Sequence, residues 1–371
     1  MAASPLSALP AELVEAIVEQ LCLSCVPDPA GTPACFTWTC SFPSPYNTDR
    51  ARAAALAGLC LTSRRLSAPA TRHLYHRPLC APWPLLARTL LARPDLAALV
   101  CDLPLADAYR LSPTDFCPRE VAEYYSAALQ NRTLSSAIAL PPPPGYDDDD
   151  DDPDSSETNL FTAHPNAPAD LLTHLCPSLS TLHLTLHYPP AFRLPLPFPS
   201  PLLHTLTICH ADTHFGLTLL AAQPLLLTCA TTLRNLTLHR ARRVPDLSPL
   251  TLPALASLTL RCSTISHTSF TDLLTLSPNL KRFHYEMGGP VVGDAQFTLA
   301  QAHTALEGHA PQTLEGVQFE AGENEQWAVE WGNRTELESP KLKLNQDMTI
   351  NTTIHATDQI TANINHGGYS K

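Results

Sequence analysis

The sequence predicts a mixed α/β protein in which an N-terminal group of three short helices precedes a solenoid with a parallel sheet. Three observations lead to this fold class. The chain opens with an amphipathic helical pattern, its later part repeats one short leucine pattern, and its 37 prolines favour many short elements over a few long helices. With 371 residues, the chain is long enough to contain two or three structural units.

The first predicted helix lies near the start of the sequence. Leu13, Ile17 and Leu21 are spaced four residues apart and share one helical face, while glutamates occupy the opposite face. Pro10 suits the first helical position, where its missing N–H breaks no hydrogen bond. One helix of this length cannot bury its own apolar stripe, so the pattern predicts packing against neighbouring helices or a partner.

Two further helices are predicted before the repeats begin. One runs from Asp49 to Leu66, and a shorter one begins at Ser67 and ends before Pro78. Residues 22–48 are rich in Pro, Cys, Ser and Thr and have no helical or strand period. They are therefore predicted to form a surface loop inserted between the first two helices.

The helical segment, residues 1–80, contains two linked motifs. They consist of Leu9, Pro10, Glu12, Leu13, Ile17 and Leu21, followed by Leu56, Leu59, Cys60, Thr62, Ser63, Arg64, Arg65, Leu66, Leu74 and Tyr75. Together they resemble the F-box, in the form common in fungal F-box proteins. The loop between the first two helices is longer here than in most F-boxes, and Leu66 stands where an aromatic residue often follows the basic pair.

The resemblance implies a role and a partner. F-boxes dock on the Skp linker subunit of cullin-RING ubiquitin ligases. The chain would then be the substrate-recognition adaptor of an SCF-type E3 ligase in ubiquitin-dependent degradation, joined through the linker to cullin and without catalytic residues of its own. The linker contacts that the resemblance implies are Leu9, Pro10, Leu13, Ile17, Leu21, Leu59, Arg64 and Leu66.

A leucine pattern recurs in the later part of the chain. Each copy reads approximately Leu-x-x-Leu-x-Leu and often follows a proline. The copies begin at Leu179, Leu203, Leu233, Leu255, Leu280 and Leu314, and a weaker copy lies at 134–140. Successive starts are about 22 to 34 residues apart, which resembles irregular leucine-rich repeats. Residues 83–335 are therefore predicted to stack one parallel strand per copy into a solenoid.

The first elements of this solenoid are a helix from Trp83 to Arg93 and a strand from Leu96 to Leu103. Period two directs the leucines of each later strand inward and leaves a continuous polar face between them. Larger and charged side chains collect on its later strands. The residues predicted to bind a target protein are Arg261, Arg282, His284, Glu286 and Glu320. A solvated strand face is also polar without any binding role, because Thr favours strands.

Three segments do not fit the repeat. Residues 141–168 combine four prolines with six consecutive aspartates and are predicted to be a flexible spacer. Trp327 and Trp331 are predicted to cap the last repeat. The polar tail, residues 336–371, predicts either a terminal edge strand or disorder.

Charge and composition exclude several classes of function. The net charge of −12 and the lack of a basic cluster argue against nucleic acid as a partner. No apolar run is long enough to span a membrane, and the first residues do not form a signal peptide. Twelve cysteines without framework spacing favour reduced thiols and a cytoplasmic or nuclear location.

Cysteines and histidines raise the question of a metal site. Cys22, Cys25, Cys35 and Cys40 could supply four thiolates to zinc, but the spacing of the second pair is unfavourable. The sixteen histidines have no clear ligand spacing, and no motif for nucleophilic catalysis or phosphate binding occurs. The prediction is no metal, no cofactor and no enzyme activity.

A second function fits the same patterns. The chain could be a leucine-rich scaffold that is not coupled to ubiquitylation, with its first three helices closing one end of the solenoid. The apolar stripe of the first helix would then lie in the interior of the protein. In an adaptor, the stripe would face a partner.

Overall fold

The computed structural model describes residues 9–22, 24–26, 46–78, 83–105, 172–186, 202–210, 217–218, 222–243, 250–287, 297, 299–320 and 349–353. Within these ranges the protein is mixed α/β with a parallel sheet, which confirms that part of the predicted fold class. The weak repeat at 134–140, the acidic segment 141–168 and the Trp327/Trp331 pair lie outside the described residues.

Three helices precede the sheet. They are α1 (Ala11–Leu21), α2 (Tyr46–Thr62) and α3 (Arg64–His76). Pro10 does not occupy the first helical position of α1 but precedes the helix, and its carbonyl accepts a hydrogen bond from the Val14 amide at 3.2 Å.

The start of α3 differs from the sequence prediction. The helix begins at Arg64 rather than Ser67, because Ser63 has an extended backbone and its side chain accepts a hydrogen bond from the Leu66 amide at 3.2 Å. A serine in this position satisfies one of the N–H groups that a helix leaves without an intrahelical partner. Pro69, predicted near the helix start, lies inside α3 instead.

The three helices enclose a small apolar core of their own. Its buried members are Val14, Val18, Leu56, Leu66 and Ala70, and Leu9, Leu21, Leu59, Cys60 and Leu74 pack around them. This core is separate from the larger one beneath the sheet. Burial in it is the main interaction that fixes the three helices relative to one another.

The helical part continues into the sheet through a short connection. Helix α4 spans Trp83–Ala92 as predicted, but the predicted strand from Leu96 to Leu103 is largely wrong. Pro94–Ala97 form a helical turn, α5, because Pro94 suits a first helical position, and the first strand, β1, spans only Asp102–Pro104.

The main sheet contains eight described strands, all parallel to their neighbours. In spatial order they are β1, β2 (Thr181–Leu186), β3 (Thr205–His210), β5 (Asn235–His239), β7 (Ser257–Ser263), β8 (Arg282–Met287), β9 (Gly316–Glu320) and β10 (Thr349–Thr353). Two short strands, β4 (Leu217–Thr218) and β6 (Ala241–Arg243), pair beside it. Strand β10 pairs with β9 at the edge of the sheet. At residues 349–353, the tail therefore forms the edge strand that was one of its two predicted states.

Strand pairing places equivalent leucines side by side. Leu182, Leu206, Leu236 and Leu258 follow one another across four strands in continuous register. All four are buried, as are the second apolar residues of each strand. The period-two prediction is therefore confirmed for these strands, and the repeated leucines build the larger core.

Helices return the chain between several of the strands, as parallel pairing requires. They are α6 (Gln223–Cys229), α7 (His267–Leu276) and α8 (Leu299–His309). Phe270 of α7 lies 5.2 Å from Phe283 of β8 and 6.5 Å from Phe319 of β9, measured between ring centroids. The helix α7 thus covers the apolar side of the sheet.

One irregularity interrupts the sheet between β7 and β8. The register shifts between Leu260 and Ser263, and Cys262 has a positive φ of 46°. Arg261 therefore pairs with His239 on β5 but has no paired residue on β8. The predicted polar face is therefore interrupted at this bulge, which sequence periodicity does not reveal.

Candidate partner surfaces and a thiol–imidazole cluster

The outward surface of α1 presents two large apolar side chains. Leu13 is 51% exposed and Ile17 is 46% exposed, although Val14 and Val18 on the adjacent side of the same helix are buried. Residues four apart share a helical face, so Leu13 and Ile17 form one short apolar ridge. Val14 and Val18 thus face the interior of the helical group, while Leu13 and Ile17 face outward.

The other predicted linker contacts surround this ridge at different depths. Pro10 and Arg64 are exposed, while Leu9, Leu21 and Leu59 are half-buried against the small core. Leu66 is only 7% exposed. A contribution of Leu66 to partner contact would therefore be indirect, through the packing that supports α1.

Two arginines fix α1 against its neighbours. The guanidinium group of Arg65 donates a hydrogen bond to the Leu9 carbonyl at the start of the helix. At its end, Arg52 of α2 donates to the carbonyls of Gln20 and Cys22, each at 2.9 Å. Of the basic pair Arg64 and Arg65, the second thus has a structural contact within the chain.

The predicted target-binding residues lie on three adjacent strands. Arg282 of β8 is exposed, and Arg261, His284 and Glu286 are half-buried. Glu320 of β9 pairs with Glu286 in the sheet, and its side chain lies outside the described residues. The sheet therefore brings these positions together, with Arg282 as the most accessible of the four described side chains.

Earlier strands do not continue this face as an exposed surface. Thr207, Cys209 and His239 occupy outward positions by period two, yet all three are buried. Burial, together with the charges of Arg261 and Arg240, lowers the pKa of His239 to about 3. The prediction of one continuous solvated face is wrong for these strands.

Three polar side chains lie close together at the first two strands of the sheet. Asp102 of β1 lies 3.3 Å from Arg77 and 3.5 Å from His183 of β2. Burial lowers the pKa of His183. The positive charge of Arg77 lowers this pKa further, and the negative charge of Asp102 raises it without reversing the shift. Because Arg77 follows α3 directly, this group connects the helical part to the edge of the sheet.

A cluster of two thiols and two imidazoles lies where α1 ends and α3 ends. Its members are Cys22, Cys25, His73 and His76, and their ligand atoms all lie within 4.8 Å of one another. The Cys25 Sγ lies 3.5 Å from Nδ1 of His73 and 3.3 Å from Nδ1 of His76. The Cys22 Sγ lies 3.6 Å from the same nitrogen of His76.

The two thiols of this cluster differ in acidity. Burial raises the pKa of Cys22, but hydrogen bonds with His76 and with the backbone at Cys25 and Ser24 lower it further than burial raises it. Burial and the neighbouring Cys22 raise the pKa of Cys25 to about 12. The thiol of Cys22 is therefore the first of the pair to ionise.

The sequence reasoning missed half of this cluster. The four thiols that the sequence suggests for zinc include Cys35 and Cys40, which lie outside the described residues, and do not include His73 and His76. A signal was present, because the spacing His-x-x-His repeats the spacing Cys-x-x-Cys and places both imidazoles on one helical face.

Comparisons add no family to this description. No family model, curated protein or solved structure matches the chain. Within the described ranges, no helix combines the length and apolar character needed to cross a membrane. The geometry of the two surfaces and of the cluster is therefore the basis for any functional conclusion.

Proposed function

We propose that this chain is the substrate-recognition adaptor of an SCF-type cullin-RING ubiquitin ligase, acting in the cytoplasm or nucleus. Helices α1 to α3 serve as the F-box that binds the Skp linker, and the strands form an irregular leucine-rich solenoid that binds a target protein. The observation that carries this proposal is the exposure of Leu13 and Ile17 on a helix whose Val14 and Val18 are buried.

The separate helical core supports this role. Val14 and Val18 already satisfy the packing of α1 against α2 and α3. Leu13 and Ile17 are therefore not needed to join the helices, and their exposure leaves apolar area in water at a cost of about 25 cal/mol for each Å². A protein partner that covers the ridge would recover that free energy.

The sheet provides a second surface, whose residues are far from α1 in the sequence. Every second position of β8 is polar or charged, at Arg282, His284 and Glu286. Such a row of side chains suits recognition of a polar or charged target segment. An adaptor with these two surfaces needs no catalytic group. It accelerates ubiquitin transfer by raising the local concentration of a target lysine near the loaded enzyme.

The scaffold alternative predicts a different packing of α1. If the helices only closed the end of the solenoid, the ridge would pack inside the protein. The exposed fractions of Leu13 and Ile17 and the separation of the two cores weigh against this alternative.

Co-purification with the Skp linker tests the proposal. Full-length chain is expressed together with the linker as wild type, as Leu13→Asp/Ile17→Asp, and as the control Leu227→Asp, which alters a leucine of α6 with 49% exposure. Wild type and the control should retain the linker, and the double variant should lose it while its circular dichroism stays unchanged. Linker binding by none of the three would refute the adaptor role, and unfolding of the double variant would favour the scaffold.

A further inference from the structure

We propose that Cys22, Cys25, His73 and His76 bind a structural zinc ion that joins the end of α1 to the end of α3. The proposal does not depend on the adaptor function. It rests on the geometry of the four side chains, on the groups that orient them and on the small size of the helical core.

Three of the four thiol–imidazole separations in the cluster match the edges of a zinc tetrahedron. Zinc binds sulfur at about 2.3 Å and imidazole nitrogen at about 2.0 to 2.1 Å, so tetrahedral ligands lie about 3.5 Å apart from sulfur to nitrogen. The three matching separations are 3.3, 3.5 and 3.6 Å, and all the ligand atoms lie within 4.8 Å of one another. Small adjustments of side chains would complete the coordination without a change of fold.

Hydrogen bonds to the Cys22 carbonyl hold the turn that contains the two thiols. The Val26 amide donates to the Cys22 carbonyl at 3.2 Å and closes the Cys-x-x-Cys turn. Arg52 donates to the same carbonyl at 2.9 Å and fixes the turn against α2. The two thiols are thereby directed to one point before any ion is bound.

A carboxylate orients one of the imidazoles. Nε2 of His73 lies 3.2 Å from Oε1 of Glu15 on α1. Because a carboxylate only accepts hydrogen bonds, Nε2 carries the hydrogen and donates the hydrogen bond. The lone pair of Nδ1 then faces the thiols. Histidines that bind metals commonly make this second contact to a carboxylate, which fixes both tautomer and ring orientation.

The donor set and burial indicate zinc in a structural role. Two thiolates and two imidazoles form a common tetrahedral zinc set, and four protein ligands leave no position for a substrate. Cys22 and His73 are buried, while Cys25 and His76 are half-buried. Binding would deprotonate both thiols and release two protons, and each imidazole would contribute a neutral nitrogen.

A zinc ion would also explain how such a small helical core is stable. The apolar core that the structure describes between α1, α2 and α3 has only five buried side chains. Apolar cores of this size commonly need a metal, a disulfide or a partner. The ion would further strengthen the link to the sheet, because the His76 carbonyl accepts a hydrogen bond from the Cys101 amide at 3.1 Å.

Metal analysis of the purified full-length chain tests this inference. The protein is purified under reducing conditions, dialysed against a zinc buffer and measured by elemental mass spectrometry. The wild type and the control Cys60→Ser, which changes a half-buried cysteine of α2 outside the cluster, should each contain about one zinc ion per chain. The variant Cys22→Ser/Cys25→Ser should contain none. Wild type without zinc, or a double variant that keeps it, would overturn the proposal.

Cobalt substitution provides a measurement that needs no variant. Co²⁺ added to metal-free wild type should give the intense visible bands of tetrahedral coordination and the near-ultraviolet bands of thiolate charge transfer, and stoichiometric Zn²⁺ should abolish both. Weak bands typical of octahedral coordination, or no spectral change, would contradict a site made of two thiolates and two imidazoles.

Discussion

His73 and Glu15 connect two helices through a single contact: Nε2 of the imidazole on α3 lies 3.2 Å from Oε1 of the carboxylate on α1. The residues are 58 positions apart in sequence. His73 is buried and Glu15 is half-buried, and Arg72 also approaches the carboxylate, at 3.7 Å. Glu15 thus both ties α1 to α3 and sets the orientation of the imidazole toward Cys25.

The variant Glu15→Gln should weaken zinc binding without removing it. Loss of a carboxylate that orients a metal-binding histidine lowers affinity about 10- to 100-fold. Competition with a chromophoric chelator measures the affinity of the full-length chain. Glu12→Gln changes an exposed carboxylate of the same helix and should have no effect. Equal affinities for wild type and Glu15→Gln would show that Glu15 has no orienting role.

Two leucines of α2 should differ sharply in their contribution to stability. Leu56 is buried in the helical core, whereas Leu61 is 89% exposed. Leu56→Ala should lower the free energy of unfolding by about 2 to 4 kcal/mol, because it leaves a cavity. Leu61→Ala should change it by less than about 0.5 kcal/mol. Urea denaturation followed by circular dichroism would distinguish the two, and similar losses would contradict the described orientation of α2.

Tyr285 makes a hydrogen bond inside the larger core. Its hydroxyl donates to the Ser263 carbonyl at 2.7 Å, and its ring is fully buried. Tyr285→Phe should lower the free energy of unfolding by about 1 to 3 kcal/mol, since the carbonyl loses a buried donor. Thermal denaturation measures the change. An unaltered midpoint would show that the hydrogen bond contributes nothing at the bulge of β7.

Stability should depend on pH through His239. Its pKa falls to about 3 in the folded chain, because it is buried and faces Arg261, Arg240 and His183. The unfolded chain, with an ordinary histidine pKa near 6.5, binds a proton first as pH falls, so folding loses stability from about pH 6.5 downward toward pH 3.

The loss from this one group should reach about 1 to 2 kcal/mol between about pH 6.5 and pH 5. Unfolding free energies of wild type and His239→Asn, measured across that interval, isolate the contribution of His239 from other titrating groups. The variant should show the shallower pH dependence. Parallel curves would contradict the burial of a neutral imidazole at this position.

Local sequence patterns predicted most of the sheet. The pairs Leu182/Leu184 and Leu258/Leu260 lie inward because alternation along a strand fixes the face of each side chain, and the repeated spacing aligned neighbouring strands. The helix at Trp83 followed from its apolar period and the proline that ends it. These features depend on contacts near in sequence or repeated at a regular interval.

The thiol–imidazole cluster depends on contacts that are distant in sequence, while the bulge and the start of α3 depend on local backbone geometry. The thiols of Cys22 and Cys25 meet His73 and His76 across about 50 residues, and no periodic pattern connects them. The bulge at Cys262 depends on a local positive φ, which residue type does not dictate for cysteine. Ser63 was a suitable cap in the sequence, but Ser67 followed by Pro69 offered a competing start.

The affinity of the purified full-length chain for the Skp linker tests the central claim most directly. Wild type is titrated beside Leu13→Ala and Ile17→Ala, with Leu227→Ala as a control of similar exposure on α6. Each substitution on α1 should weaken binding by about 2 kcal/mol, or about 30-fold, and the control should bind as wild type does. Equal affinities for all four chains, or no binding by any of them, would contradict the assignment of the exposed ridge on α1 to the linker.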